Sequence, residues 1–177
     1  MPVASPYENA QALIAHPNVQ LSSYLRQYLR EKGFGTTVIA DHSTRAVKSL
    51  SKLKTRLVIV DFDLMEFGGP DFVRFIRLCD APLQEAAVCV TISNPNRDKV
   101  MVTRDAGANE IIALPLTYET LDKKITNALQ NPAPFIRHPA YTGPCRRRQT
   151  LEEWGGVERR REDAPTSPPP TRKQRIV

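Results

Sequence analysis

The sequence predicts an α/β fold in which five parallel strands form one doubly wound sheet with helices on both faces. Between residues 10 and 131, short apolar runs alternate strictly with amphipathic segments, and short polar loops join them. One run, residues 57–60, is apolar at every position, which is typical of a parallel strand buried on both faces. Parallel strands joined in this way need right-handed crossovers, so the helices divide between the two faces.

The first half of this alternation contains two strands and two helices. Residues 10–15 form an apolar run that Pro17 ends, because proline donates no backbone hydrogen bond. Residues 19–32 place apolar side chains at spacings of three and four, which predicts the first helix. The β-branched run at residues 36–40 predicts the second strand, and Ser43 is predicted to cap the second helix.

The second half adds three strands and three helices. The strands are predicted at residues 57–61, 86–92 and 110–114. The helices are predicted at residues 70–79, at 96–106, and from a cap at Thr117 to about residue 130. Pro70 suits the first turn of a helix, and Gly107 suits the position after a helix end.

Two polar side chains are predicted to meet at one edge of this sheet. Asp61 follows the apolar run of the third strand, and Thr91 lies near the end of the fourth. The carboxyl ends of parallel strands lie at the same edge, and ligands of open α/β sheets bind there. Asp61 is therefore the first candidate for a functional residue.

Composition divides the chain into three parts. Residues 1–9 are predicted to be a flexible N-terminus, residues 10–131 the folded domain, and residues 132–177 a disordered tail. The net charge is +6, and the tail carries most of it, with ten Lys and Arg against five Asp and Glu. Eight of the fifteen prolines also fall in the tail, and large aliphatic residues are rare there, so it cannot bury enough surface to offset its ordering entropy.

Cysteine content and hydropathy indicate the cellular compartment of the protein. The three cysteines are widely spaced and odd in number, which does not suit a secreted disulfide framework. No apolar run approaches the roughly 20 residues that cross a bilayer. We therefore expect a cytoplasmic protein without membrane contact.

The landmarks at the ends of the strands resemble those of response-regulator receiver domains, the flavodoxin-like domains of two-component signalling. The resemblance covers residues 10–130. It rests on Leu57-Val-Ile-Val-Asp61 with Met65, Gly68 and Gly69 after it, on Val88-Cys-Val-Thr91, on Asp105-Ala-Gly-Ala-Asn109, and on Pro115. It implies that Asp61 is the equivalent of the aspartate that accepts a phosphoryl group and Thr91 the equivalent of the switch hydroxyl. It also implies a cis bond between Leu114 and Pro115.

Three positions depart from the family pattern, and at one of them Ile111 stands where the family has an aromatic switch residue in the fifth strand. The family carries two adjacent acidic residues after the first strand, which hold Mg²⁺, whereas this chain has Ala15 and His16 before Pro17. The family carries a lysine immediately before the proline after the fifth strand, and this chain has Leu114. Catalysis of phosphoryl transfer is mainly electrostatic, and one unit charge at about 4 Å contributes roughly 4 kcal/mol at an effective dielectric constant near 20. We therefore expect ordinary phosphorylation to be lost, with no cofactor and doubtful Mg²⁺ binding.

Two hypotheses assign a local role to His16. In the first, His16 pairs with Asp61 or Asp63 and supplies a structural cation in place of the missing lysine. In the alternative, His16, Asp61 and Asp63 together bind a divalent transition metal rather than Mg²⁺.

The leading functional hypothesis is a stand-alone, atypical receiver protein that is not an enzyme and signals by protein contact. By family analogy the docking surface is the face built from the fourth helix, the fifth strand and the fifth helix. The expected partner is a sensor histidine kinase or a downstream signalling protein. One alternative is a receiver that still accepts a phosphoryl group on Asp61. Another is a scaffold whose basic clusters at residues 141–148 and 158–161 bind nucleic acid.

Overall fold

A five-stranded parallel sheet lies at the centre of the computed structural model, which describes residues 7–8, 10–50 and 54–146. The strands are β1 (Gln11–Ala15), β2 (Thr36–Ala40), β3 (Thr55–Asp61), β4 (Ala87–Ser93) and β5 (Glu110–Leu114). They lie in the order β2-β1-β3-β4-β5. This order places β3 in the middle of the sheet, with β1 and β4 as its neighbours, and confirms the predicted doubly wound α/β fold.

Helices alternate with the strands along the chain. They are α1 (Val19–Glu31), α2 (Ser43–Leu50), α3 (Gly69–Leu78), α4 (Arg97–Ala106) and α5 (Tyr118–Gln130), and a short 3₁₀ turn occupies Leu83–Glu85. The predicted bounds of β2, β5 and α5 are confirmed. The bounds of β1, α1, β3, α3, β4 and α4 differ from prediction by one or two residues at one or both ends. None of the described helices is long and apolar enough to cross a membrane.

The core consists of two layers, one on each face of the sheet. On one face, Leu25 of α1 and Leu121 of α5 pack with Ile59 of β3. On the other face, Phe72 and Ile76 of α3 pack in the cluster that contains the alternate β3 residues. Both faces of β3 are therefore buried, and burial of each large aliphatic side chain contributes roughly 1.5–3 kcal/mol to stability.

Side-chain caps fix where three of the helices begin. Asn18 accepts a hydrogen bond from the backbone N–H of Leu21, Asn96 from Lys99, and Thr117 from Thr120. Helix α2 differs from the prediction, because the Ser43 hydroxyl donates to the Met65 carbonyl and does not cap its own helix. The first turn of α2 is instead capped by Glu66, whose carboxylate accepts the N–H of Thr44 at 2.6 Å.

The tail was predicted to be disordered from residue 132 onward, and this prediction is wrong for residues 132–146, which belong to the first compact unit. The chain forms an antiparallel hairpin from β6 (Phe135–His138) and β7 (Tyr141–Pro144), and the first compact unit ends at Arg146. Few aliphatic side chains hold this hairpin. Arginine contacts hold it to the rest of the domain instead. The scarcity of aliphatic residues therefore does not show that this segment is disordered.

The hairpin packs on α3, which β7 contacts. Arg137 pairs with Glu85 in the 3₁₀ turn, and Arg146 pairs with Asp105 at the end of α4 at 2.7 Å. The remaining tail, with its second arginine cluster, lies outside the described residues.

Candidate functional site

The predicted site residues meet at the carboxyl edge of the sheet. Asp61 ends β3 and lies opposite Thr91 in the register of β3 with β4. His16 follows β1 directly, and Ala15 pairs with Val60, so His16 lies beside Asp61 on the other side. Because β1 and β4 both neighbour β3, the strand order alone brings these three side chains together.

The Asp61 carboxylate is almost fully buried, with 7% of the residue exposed. The Thr91 hydroxyl donates to Oδ1 at 3.1 Å, and the Asp63 backbone N–H donates to Oδ2 at 3.2 Å. Nε2 of His16 lies 3.2 Å from Oδ1. Burial alone raises the pKa of Asp61, but the contacts of His16 and Thr91 and the Asp63 N–H outweigh it, so the pKa lies below its usual value.

The surroundings of His16 fix which of its nitrogens carries a hydrogen. Nδ1 accepts a hydrogen bond from the backbone N–H of Asn18 at 2.9 Å, so Nδ1 carries no hydrogen and Nε2 does. The side chain is 5% exposed, and Nε2 makes no well-aligned hydrogen bond with any group in the described part of the chain. The buried imidazole faces Asp61 rather than Asp63, and Asp61 is one of the two partners that the first hypothesis allows.

This arrangement does not suit a metal ion. A histidine that ligates a metal normally donates its other ring N–H to an acceptor, whereas Nδ1 of His16 accepts one. Mg²⁺ prefers oxygen ligands in octahedral geometry, and His16 presents a nitrogen that carries a hydrogen. The Asp63 carboxylate contacts Lys99 and is largely exposed. Within residues 7–8, 10–50 and 54–146, no three His, Cys, Asp or Glu side chains form a group that could hold a metal.

Lys99 is the site residue that the sequence reasoning missed. Its Nζ lies 3.3 Å from Oδ2 of Asp63, 3.4 Å from the Ser93 carbonyl and 4.8 Å from the centre of the Phe62 ring. The signal that would have found it is Asn96, because this cap fixes the start of α4 and places Lys99 in the first turn, at the carboxyl edge.

The end of β5 contributes no charged group to this edge. Leu114 is half-buried and pairs with Ser93 of β4. The bond between Leu114 and Pro115 is cis, which confirms that prediction. A cation reaches this edge from α4 instead. It is Lys99, whose Nζ lies 3.4 Å from the carbonyl of Ser93 at the end of β4.

The loop after β3 positions the Asp61 backbone. Gly69 begins α3 so close to β3 that a Cβ atom built on it would lie 2.2 Å from the Asp61 carbonyl oxygen. The N–H of Gly69 also donates to the Phe62 carbonyl at 2.9 Å. A residue without a side chain is thus needed for α3 to start directly beside Asp61.

Curated proteins similar in sequence to this chain include several from bacterial chemotaxis. The chain is 28% identical to the chemotaxis protein CheY of Pseudomonas aeruginosa over 101 residues, which cover 57% of this chain and 81% of the relative. It is 27% identical to CheY-3 of Vibrio cholerae over 118 residues, which cover 67% of this chain and 90% of that protein. No protein-family model matches the chain.

Solved structures with the same fold include receiver domains and response regulators. A putative response regulator from Chloroflexus aurantiacus superposes with a TM-score of 0.63 at 20% identity, covering 68% of this chain and 98% of the other. The beryllofluoride-activated NtrC4 receiver domain has a TM-score of 0.62 at 21% identity, covering 68% and 97%. At these identities the structural likeness shows the fold, and the sequence likeness to the chemotaxis proteins covers the same part of the chain. With an aspartate at the end of β3 and a hydroxyl opposite it on β4, the chain thus has the fold of response-regulator receiver domains and is similar in sequence to CheY proteins.

Proposed function

We propose that this protein signals by protein contact through a receiver domain whose phosphorylation site is atypical. The observation that carries the proposal is the Asp61 site itself, in which contacts from His16 and Thr91 surround the carboxylate. The positions that supply Mg²⁺ ligands and a lysine in the family hold His16 and Leu114. The groups around Asp61 thus differ from those that support phosphorylation in the family, while the fold that would form a docking surface is the same.

Exposed apolar side chains support a docking surface on the α4–β5–α5 face, the surface formed by those three elements. On α4, Val100, Met101 and Val102 are between 37% and 41% exposed. Tyr118, at the start of α5, is 49% exposed, and its ring meets the Tyr28 ring of α1 edge-on, with the ring centres 5.6 Å apart. Large exposed apolar groups that lie close together are typical of protein interaction sites. The partner on this proposal is a sensor histidine kinase or a downstream signalling protein.

Site-specific photo-crosslinking in producing cells tests the proposal. A photoreactive phenylalanine analogue at Val102 or at Tyr118 is expected to give discrete adducts with a histidine kinase or another signalling protein, identified by mass spectrometry. The matched control is the same analogue at Gln27, an exposed position on α1, whose buried residues belong to the other core layer from those of α4. The substitution Met101→Asp should remove the adducts without changing the circular dichroism spectrum.

Two results would contradict the proposal. One is a set of adducts from Gln27 equal to the set from Val102. The other is a set of adducts from the α4–β5–α5 face that contains no signalling protein.

A further inference from the structure

The outer side of α3 carries exposed apolar side chains that the proposed docking surface does not include. The α3 face is formed by six exposed residues, Met65, Phe67, Asp71, Arg74, Phe75 and Leu78. We propose that the α3 face binds the same face of a second copy of this chain. The inference goes beyond the proposed function, because it concerns a different helix from the α4–β5–α5 face and a different partner.

Four residues of the α3 face follow the period of the helix. Asp71, Arg74, Phe75 and Leu78 are exposed, whereas the four positions between them are buried. Residues at spacings of three, four and seven lie on one side of a helix. The outer side of a surface helix is normally polar, yet Phe75 is 38% and Leu78 is 81% exposed. These two side chains therefore give the outer side of α3 an apolar character.

The loop between β3 and α3 extends this apolar surface. Met65 is 61% and Phe67 is 39% exposed. The buried Phe72 ring lies 6.2 Å from the Phe67 ring and 6.3 Å from the Phe75 ring, so the two exposed rings rest on the core through it. With about 200 Å² for each large side chain, the exposed apolar area is roughly 400 Å². That is about half of the ~800 Å² that each partner buries in a stable complex.

Contacts with α2 fix the loop that carries Met65 and Phe67. The Met65 carbonyl accepts a hydrogen bond from the Ser43 hydroxyl at 2.8 Å. The Glu66 carboxylate accepts one from the Thr44 hydroxyl at 2.7 Å. Glu66 has a φ of 83°, a left-handed conformation that is uncommon outside glycine, and such strain clusters at binding sites. A fixed loop also loses less entropy on association than a mobile one.

The order of charged and apolar residues selects a second copy as the partner. Residues 71, 74, 75 and 78 are spaced symmetrically about the midpoint between Arg74 and Phe75. Two copies of α3 that meet antiparallel on a two-fold axis therefore bring each of these positions beside its counterpart. Arg74 of one copy then faces the Phe75 ring of the other, a cation–π arrangement. Asp71 of one copy lies one helical turn, about 5.4 Å, from the position opposite Arg74 of the other.

The ion pair on the α3 face can exchange partners between the two copies. Within one chain, Nη1 of Arg74 lies 2.5 Å from Oδ1 of Asp71, and both side chains are largely exposed. An exposed pair of this kind contributes little to the stability of the single chain, so giving it up costs little. In the dimer two aspartates and two arginines alternate beside buried rings, where lower local polarity strengthens their attraction. The face is neutral, so two copies do not repel each other.

Sedimentation velocity of the full chain over a range of concentrations tests the inference. We expect the mass to shift from monomer to dimer as the concentration rises through the micromolar range. Leu78→Asp places a carboxylate beside Asp71 of the second copy and removes an apolar contact, so it should weaken the dimer by about tenfold or more. The matched control is Val19→Asp, the same kind of change at a position on α1 that is 77% exposed. It should dimerise like the wild type.

Charge reversal tests the symmetry of the α3 face. Asp71→Arg gives a face with two positive charges, and Arg74→Asp gives one with two negative charges. Each variant alone should be monomeric at concentrations at which the wild type is a dimer, because like charges then meet across the two-fold axis. An equimolar mixture of the two variants should form a heterodimer. Recovery on mixing shows that both variants are folded, and circular dichroism checks each one alone.

Any of four results would overturn the inference. The first is a wild-type chain that stays monomeric at every concentration, and the second is a dimer that persists in Leu78→Asp. The third is a dimer that Val19→Asp dissociates as readily as Leu78→Asp does. The fourth is a mixture of the folded charge-reversal variants that stays monomeric. None of these results affects the photo-crosslinking test, so failure of this inference and failure of the proposed docking function are distinguishable.

Discussion

At the scale of single residues, the site depends on how many donors one buried carboxylate receives. Asp61 takes a hydroxyl hydrogen bond from Thr91 and a backbone hydrogen bond from Asp63, and the N–H of His16 faces it. An amide at the same position has one acceptor oxygen and a nitrogen that is itself a donor, so it cannot satisfy this set. The ionised carboxylate is therefore the form that the folded protein stabilises.

This leads to a prediction on pH dependence for Asp61→Asn. The pKa of Asp61 is lowered in the folded state, so its contribution to stability is full above the ordinary value of 3.8 and is lost as the pH falls through the lower folded value. At neutral pH we expect the variant to be less stable by about 1.5–3 kcal/mol, the range for hydrogen bonds to charged groups. Urea unfolding between about pH 7 and pH 3 measures this difference. A gap that stays constant or widens toward low pH would contradict the assignment.

A second residue-scale prediction concerns Gly69. A Cβ at this position meets the Asp61 carbonyl oxygen at 2.2 Å, and because the obstacle is backbone, the start of α3 must move away from β3. We expect Gly69→Ala to cost about 1–3 kcal/mol, as overpacking does, and to shift the amide resonances of Asp63 and Thr91. Ser49→Ala on α2, a half-buried position whose hydroxyl donates to the Arg45 carbonyl of its own helix, is the control. Unchanged resonances in a fully stable Gly69→Ala protein would show that the contact is not tight.

At the scale of elements, the sequence predicts what burial and capping determine. The bounds of β2 and β5 follow from short β-branched and aliphatic runs between polar residues, and the starts of α4 and α5 follow from Asn96 and Thr117. The hairpin of β6 and β7 does not follow, because arginine contacts hold it. The role of Lys99 does not follow from the sequence either, because the groups that its side chain contacts depend on the conformation of the loop between β4 and α4.

Arg77 is one of the arginines that hold the hairpin in place of buried aliphatic side chains. Its guanidinium donates to the carbonyls of Gln84, Ala86 and Gly107 and to the side chain of Asn109. Burial lowers the pKa of Arg77 to about 10, since all four of these acceptors are neutral. The Phe135 ring of β6 lies against the guanidinium, 5.7 Å away. The hairpin thus covers a buried cation at the end of the sheet opposite Asp61.

Two truncations test the hairpin as part of the domain. A chain ending at residue 131 loses β6 and β7 and exposes Arg77, whereas a chain ending at residue 146 keeps both strands. We expect the shorter chain to be less stable than the full protein by about 1–3 kcal/mol, most of it from the lost cover over Arg77, because exposed ion pairs such as Arg137 with Glu85 contribute little. The longer chain should unfold like the full protein in urea. Equal stability of the two truncated chains would show that the hairpin does not stabilise the folded domain.

At the scale of the whole domain, α4 is held differently at its two ends. Its C-terminal end is tied to α3 and the hairpin, since Arg77 donates to the Gly107 carbonyl and Arg146 pairs with Asp105. Its N-terminal end is held by the Asn96 cap and by the contacts of Lys99 with Asp63 and Ser93. A change at the Asp61 site therefore reaches α4 at the end that is less firmly fixed.

This asymmetry predicts where the domain responds to an occupied site. With beryllium fluoride, a mimic of a phosphoryl group, bound at Asp61, amide hydrogen exchange should change in the first two turns of α4, while exchange in β6 and β7 should stay as in the free protein. In Arg77→Met the C-terminal tie is lost, so the change should spread along α4 to Gly107 and into the hairpin. Mass-spectrometric exchange on the two proteins, each with and without the mimic, makes the comparison. If exchange in the wild-type hairpin changes as much as in the first turn of α4, then α4 moves as a whole and the tie at its C-terminal end does not hold it.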